Sequence, residues 1–291
     1  MAGGTRSRAI AGAFARRIAM PRRTLGAMEA AFFDLDKTII AKSSVLAFGR
    51  PLYREGLISR SAIARSIYAQ IVYMLVGADE AKMEKVRESM LRLTKGWDQQ
   101  HVAEIVRETL EATIQPIIYA EALDLIREHN AAGRRTVIIS SSPFEVVAPL
   151  AEYLGVDDAI ATRARIDDEG RYTGELEFYA YGEAKAAAIR EMAEADDIDL
   201  SASYAYSDSI TDVPMLESVG HPVVVNPDRD LARAAIEREW EVRRFVRPVR
   251  LRDRMPVPTT GPTIAASSAA AAFGTGVVLY LMWRRRLSTA R

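Results

Sequence analysis

Cysteine is absent from all 291 residues, which excludes disulfides, thiolate metal sites and a cysteine nucleophile. Only three histidines are present. His101, His129 and His221 are scattered, match no metal-ligand spacing and are expected at the surface or at helix caps. Acid is missing from two stretches: residues 1–28 hold six arginines and no carboxylate, and nothing in residues 37–54 is acidic. Charge of either sign is missing from the 21 residues 263–283. A secretory signal is missing too, because the N-terminal segment has no continuous apolar run and no small-residue cleavage site.

What is there begins with Ala31-Phe32-Phe33-Asp34-Leu35-Asp36-Lys37-Thr38. Two aromatics run straight into two carboxylates, so the aromatics read as the end of a buried strand and the carboxylates as the loop that follows. Burying both acids in a core would be costly, and open α/β sheets bind ligands outside the carboxyl ends of their strands. A strand ending in D-x-D-x-T offers a nucleophile, a metal ligand and a general acid/base at that place. Three further elements follow in order. Thr136-Val137-Ile138-Ile139-Ser140-Ser141-Ser142 is an apolar strand ending in hydroxyls, and Lys185 stands at the start of a helical segment after Tyr181-Gly182-Glu183-Ala184. Tyr204-Ala205-Tyr206-Ser207-Asp208 is a third strand, with Asp212 four positions beyond Asp208.

With these four elements the chain resembles the haloacid dehalogenase (HAD) superfamily of phosphotransferases, in particular its phosphoserine-phosphatase-like branch. The likeness covers residues 28–245, and the gaps agree with it: 45 positions from Ser140 to Lys185 and 23 from Lys185 to Asp208. The resemblance implies an α/β fold, a Rossmann-like parallel-sheet core with an inserted helical cap. It also implies an Mg2+-dependent phosphomonoester hydrolase working through an aspartyl-phosphate. Asp34 would be the nucleophile and Asp36 the general acid, then the general base. Asp34, the backbone carbonyl of Asp36 and Asp208 would hold the metal, with Asp212 acting through a water or on Lys185. Ser140 and backbone N–H groups around Ser141 would bind the phosphoryl oxygens, and Lys185 would offset their growing charge. Asp212 also has the sequence position of an N-cap before Val213-Pro214.

The sequence divides into a basic extension at 1–28 expected to lack fixed structure, the core at 29–245 with the cap inserted at about 45–115, a basic, Pro-rich linker at 246–262, a transmembrane helix at 263–283 and a basic tail at 284–291. Within the cap, residues 62–76, 79–93 and 98–114 read as helices, and 119–130 as the helix returning to the core. A hairpin is expected around Asp167-Asp168-Glu169-Gly170, and residues 222–226 as the last core strand. Net charge is zero, yet residues 1–28, 243–254 and the tail carry excesses of six, five and four positive charges, balanced by fifteen negative charges elsewhere. Basic ends on an acidic body suit an anionic membrane surface and do not suit a nucleic acid. As a helix, 263–283 would be about 31 Å long, enough to cross a hydrocarbon core as a single-pass C-terminal anchor. More arginines precede it than follow it, which favours a cytoplasmic catalytic domain.

The substrate expectation departs from the branch. Phosphoserine phosphatases carry a Glu nine positions beyond the nucleophile to meet the substrate ammonium, and this chain has Ser43 there. Lys42, Arg50 and Arg54 supply the local charge instead. That favours a membrane-derived or glycerol-type phosphate, such as a lysophosphatidate, phosphatidylglycerol phosphate or glycerol phosphate. The alternatives are an anchored phosphatase of a soluble metabolite such as phosphoserine, and a regulator that senses a phosphorylated ligand without turnover.

Overall fold

A computed structural model describes residues 28–59 and 80–247, the side chains of 80–86 excepted. The expected helix at 62–76, the membrane span at 263–283, the tail at 284–291 and nearly all of the basic extension and linker lie outside those residues. No helix among the described residues is long and apolar enough to cross a membrane.

The frame is one sheet of strands β1 (Ala30–Phe33), β2 (Arg135–Pro143), β3 (Asp158–Ile166), β4 (Tyr172–Phe178), β5 (Tyr204–Ser207), β6 (His221–Val225) and β7 (Glu241–Arg243), in the order β4-β3-β2-β1-β5-β6-β7. Only the β3–β4 pair is antiparallel. The chain therefore builds outward from β1 in one direction, returns, and builds outward in the other. Such a reversal opens a crevice at the carboxyl ends of the central strands. Here those strands are β1 and β5, registered Phe32↔Ala205 and Phe33↔Tyr206.

Helices cover both faces, as a parallel sheet requires. Period-two alternation splits β1 between them. Phe33, with Ile138, Tyr206 and Val225, packs toward α4 (Gln99–Ile114), α5 (Ala120–Ala131) and α6 (Phe144–Leu154). Phe32, with Val137, Ile139 and Val224, packs toward α7 (Glu183–Asp196), α8 (Val213–Glu217) and α9 (Arg229–Glu237). Between β1 and α5 the chain forms the short helices α1 (Ser44–Ala47) and α2 (Gly49–Arg54), then α3 (Glu80–Thr94) and α4. Asp98 caps α4 by accepting from His101 N at 2.8 Å. The β3–β4 turn closes as its sequence suggests: Gly170 has φ +77°, and the Asp167 carboxylate accepts from Glu169 N and Arg171 N.

Two expectations need correcting. The strands do not stop at residue 226, since β7 adds a seventh; its three residues, Glu-Val-Arg, lie on an exposed edge and carry no apolar run to announce them. His129 is not a surface residue. It is 3% exposed, packs against Phe33 and Tyr204, and its Nε2 lies 2.8 Å from the Tyr206 hydroxyl. Helical periodicity alone could have placed it, because it lies on the same face of α5 as Leu125 and Ile126.

Burial, aided by Arg134 and Arg243, lowers the His129 pKa to about 4. The unfolded chain, with an ordinary value near 6.5, binds the proton first. The neutral ring thus supports the fold fully above that value, and the support fades as pH falls toward 4. Between about pH 7.5 and about pH 5, wild type should lose roughly 2 kcal/mol more stability than His129→Gln in urea titrations. Identical pH dependence in the two proteins would contradict the assignment.

Candidate active site

Asp34 is where β1 leaves the sheet. Its N–H still donates to Tyr206 O at 2.9 Å, so the carboxylate begins at the sheet edge with its backbone fixed by β5. The following loop is tight: Leu35 O accepts from both Ile39 N and Ile40 N, and Lys37 takes a left-handed φ of +63°. That turn sends Asp36 toward the start of α1 and the end of β2. Asp36 Oδ1 accepts from Ser44 N at 2.9 Å, and Oδ2 from Ser142 Oγ at 3.4 Å.

Lys185 reaches the same edge from the first turn of α7. The residue before that helix, Gly182, has φ +54° and ψ −126°, a backbone that residues with a Cβ avoid. The lysine is 2% exposed, and its Nζ donates to Asp34 Oδ1 at 2.7 Å and Asp212 Oδ2 at 2.8 Å. Asp212 Oδ2 also accepts from Ser207 Oγ at 2.7 Å. Asp212 occupies the N-cap position of α8, yet its side chain makes no cap hydrogen bond there. Of the expected roles, its side chain makes the direct contact with Lys185 and not the cap. Asp208, also buried, has Lys37 Nζ at 3.5 Å from Oδ2. Its carbonyl accepts from Asp228 N, while the Asp228 carboxylate accepts from Ile210 N and caps α9.

Hydroxyls line the β2 side. Ser140 is buried and its Oγ accepts from Ser142 N, whereas Ser141 is exposed. The β2–β3 ladder shifts register between Ser140 and Pro143, which leaves Ser141 and Ser142 without partners in that ladder. The seven residues singled out from the sequence thus gather at one sheet edge: Asp34 and Asp36 follow β1, Ser140 and Ser141 lie in the last four residues of β2, Asp208 and Asp212 follow β5, and Lys185 stands in the first turn of α7. Direct contacts join Asp34, Lys185 and Asp212. Ser44, Ser142, Ser207, Lys37 and Asp228 were not singled out from the sequence. Lys37, Ser142 and Ser207 lie within the motif segments as hydroxyls or charges, whereas Ser44 and Asp228 lie outside them, and partners are up to 106 positions away.

The electrostatics are those of a crowded acidic site. Burial, with added repulsion from Asp212 and Asp208, pushes the Asp34 carboxyl up to about 8 against the pull of Lys185. Burial likewise raises Asp208 to about 7, against Lys37 and with Asp212 and Asp228 adding to the rise. Asp36 is raised by burial too, opposed by its bonds to Ser44 and Ser142. Burial would strip Lys185 of its proton, but Asp212 and Asp34 outweigh it and hold the ammonium charged. One buried ammonium does not neutralise three buried carboxylates. A hard divalent cation taking carboxylate and carbonyl oxygens fits that shortfall. Among the described residues no three acidic or histidine side chains form a ready-made metal cage.

Residues 31–217 match the family model of haloacid dehalogenase-like hydrolases, and the chain belongs to that family. It is 52% identical over 264 residues to the "inhibition of morphological differentiation protein" of Streptomyces azureus, covering 90% of this chain and 95% of that one. It is 50% identical to a "probable phosphatase" of Mycobacterium tuberculosis, over 89% of this chain and 90% of the relative. A phosphoserine phosphatase of the same organism is 34% identical, over 84% and 79% of the two chains. The chain is a HAD phosphatase of the phosphoserine-phosphatase-like branch.

Lys185→Met removes the one cation among the described residues that bonds both Asp34 and Asp212. Leaving buried carboxylates without it should cost about 3–5 kcal/mol in denaturant titrations run with chelator. Adding Asp212→Asn should recover part of that loss. A single variant within about 0.5 kcal/mol of wild type would show that the ion pair does not hold the site together.

Proposed function

We propose that this haloacid dehalogenase-like hydrolase is a magnesium-dependent phosphomonoester phosphatase that acts through an aspartyl-phosphate on Asp34. The observation that carries the reading is the Lys185 ammonium clamped between Asp34 Oδ1 and Asp212 Oδ2. It orients the nucleophilic carboxylate and puts positive charge where a phosphoryl group would arrive.

In the first step Asp34 Oδ2 attacks phosphorus, an O–P bond forms, and the ester P–O bond breaks. Asp36 gives its proton to the departing alkoxide. In the second step Asp36 takes a proton from water, the water oxygen attacks phosphorus, and inorganic phosphate leaves a free Asp34. Ser140 and backbone N–H groups near Ser141 bind the non-bridging oxygens throughout. Magnesium, held by Asp34, Asp208 and the carbonyl of Asp36, would neutralise developing charge on the phosphoryl oxygens. Asp212 serves as the orienter of Lys185.

The substrate we assign is a phosphate ester without an ammonium beside the phosphate, of the membrane-derived or glycerol type. Ser43 occupies the position where phosphoserine phosphatases place an acid, and residues 37–54 offer no carboxylate at all. An α-ammonium there would lack its counter-charge. The uncharged stretch 263–283 and its flanking arginines support a membrane tether for the same enzyme. The relative named phosphoserine phosphatase keeps a soluble metabolite as the second reading.

A panel of phosphate esters, including lysophosphatidate, glycerol phosphate and phosphoserine, tests the assignment by phosphate release. Release should need magnesium, stop in chelator and be fastest with a glycerol-type or lipid ester. Phosphoserine as the fastest ester would overturn the substrate, and full activity in chelator would overturn the metal. A chain truncated after Pro256 should keep its rate on a water-soluble ester and lose rate on vesicle-borne substrate. Equal loss on both would remove the membrane from the account.

A further inference from the structure

The catalytic reading leaves the surroundings of Asp36 unexplained. Its two oxygens are held differently. Oδ1 receives the backbone N–H of Ser44 at 2.9 Å, and Oδ2 faces Ser142 Oγ at 3.4 Å. The Ser44 hydroxyl lies 2.7 Å from Ser142 Oγ. Ser44 is fully buried and Ser142 nearly so, with relative exposures of 0% and 4%. Ser44 is the first residue of α1, where the inserted helices begin, whereas Ser142 belongs to β2 of the core. The acid is thus gripped by both parts of the protein at once.

We propose that Ser44 and Ser142 are positioning residues that fix which oxygen of Asp36 carries the transferable proton. A backbone N–H can only donate, and the carbonyl oxygen of a carboxylic acid accepts better than its hydroxyl oxygen, so the bond to Oδ1 favours the proton on Oδ2. A hydroxyl can both accept and donate. Ser142 accommodates the protonated Oδ2, and when the proton passes to the leaving alkoxide it donates to the new carboxylate oxygen. Ser44 Oγ, at 2.7 Å, holds Ser142 for that exchange. This rests on Asp36 being the general acid of the proposed reaction.

The test compares kcat/KM for p-nitrophenyl phosphate, whose phenolate departs without a proton, with kcat/KM for glycerol phosphate or phosphoserine, whichever is turned over faster. That constant reports phosphoenzyme formation alone, so the later hydrolysis step does not mask the comparison. In Asp36→Asn the alkyl-to-aryl ratio should fall about a hundredfold or more. In Ser44→Ala and in Ser142→Ala it should fall about tenfold, with Ser142→Thr restoring it. Neither serine change should lower the ratio further in the Asp36→Asn background, because both act through that one carboxylate. A merely structural role would lower both substrates together and leave the ratio intact. That result, with Asp36→Asn still lowering the ratio, overturns the inference. An unchanged ratio in Asp36→Asn itself overturns Asp36 as the acid, and the inference with it.

Discussion

A buried ammonium is tolerated only where carboxylates meet it at hydrogen-bonding distance, and buried carboxylates are tolerated only where such a cation meets them. Lys185, Asp34 and Asp212 satisfy that condition jointly, with Nζ 2.7 and 2.8 Å from its two partners. The condition binds three parts of the chain. Asp34 ends β1, Lys185 opens α7, and Asp212 follows β5. The reversal of strand order beside β1 brings those ends together, and the glycine before α7 lets the helix start where its lysine can reach the acids. Phe33 and Tyr206, stacked with centroids 4.6 Å apart, hold the two central strands in the register that puts Asp34 against β5.

The same crowding makes the site reactive. Three acids share a small volume with one ammonium inside it and Lys37 at its rim, and on the proposed reading a phosphoryl group's charge would be shared between a bound cation and Lys185. Specificity must then come from what lies over the edge. The inserted helices start with Ser43 and Ser44: the first is neutral where the phosphoserine-specific branch is acidic, and the second touches the acid directly. On the proposed reading, substrate choice and proton transfer would be adjacent in sequence and reached through the same short helix.

Much of this was legible in the sequence because the motifs are local. Apolar runs ending in Asp34, Ser140 and Asp208 mark strands and their exits, and Lys185 stands at a helix start that Gly182 announces. The antiparallel hairpin was legible from Asp167 to Gly170 for the same reason. What stayed hidden depends on pairs far apart in the chain. No local pattern says that Ser44 meets Ser142, 98 positions later, or that Ser207 bonds Asp212, whereas the contact of Asp212 with Lys185 was among the expectations the resemblance implied. The burial of His129 was legible from the periodicity of its helix, whereas its enclosure by Tyr204 and Tyr206, 75 and 77 positions later, was not. The strand β7 was hidden by its brevity and exposure.

The claim on which the account turns is that Asp34 takes the phosphoryl group onto its own carboxylate. Acid quenching during turnover of a phosphate-labelled ester, followed by peptide mapping, tests it most directly. The account predicts label on the peptide containing Asp34, released by hydroxylamine as an acyl phosphate is, and absent from Asp34→Asn. Turnover with no trapped label, or a label that survives in Asp34→Asn, would contradict it.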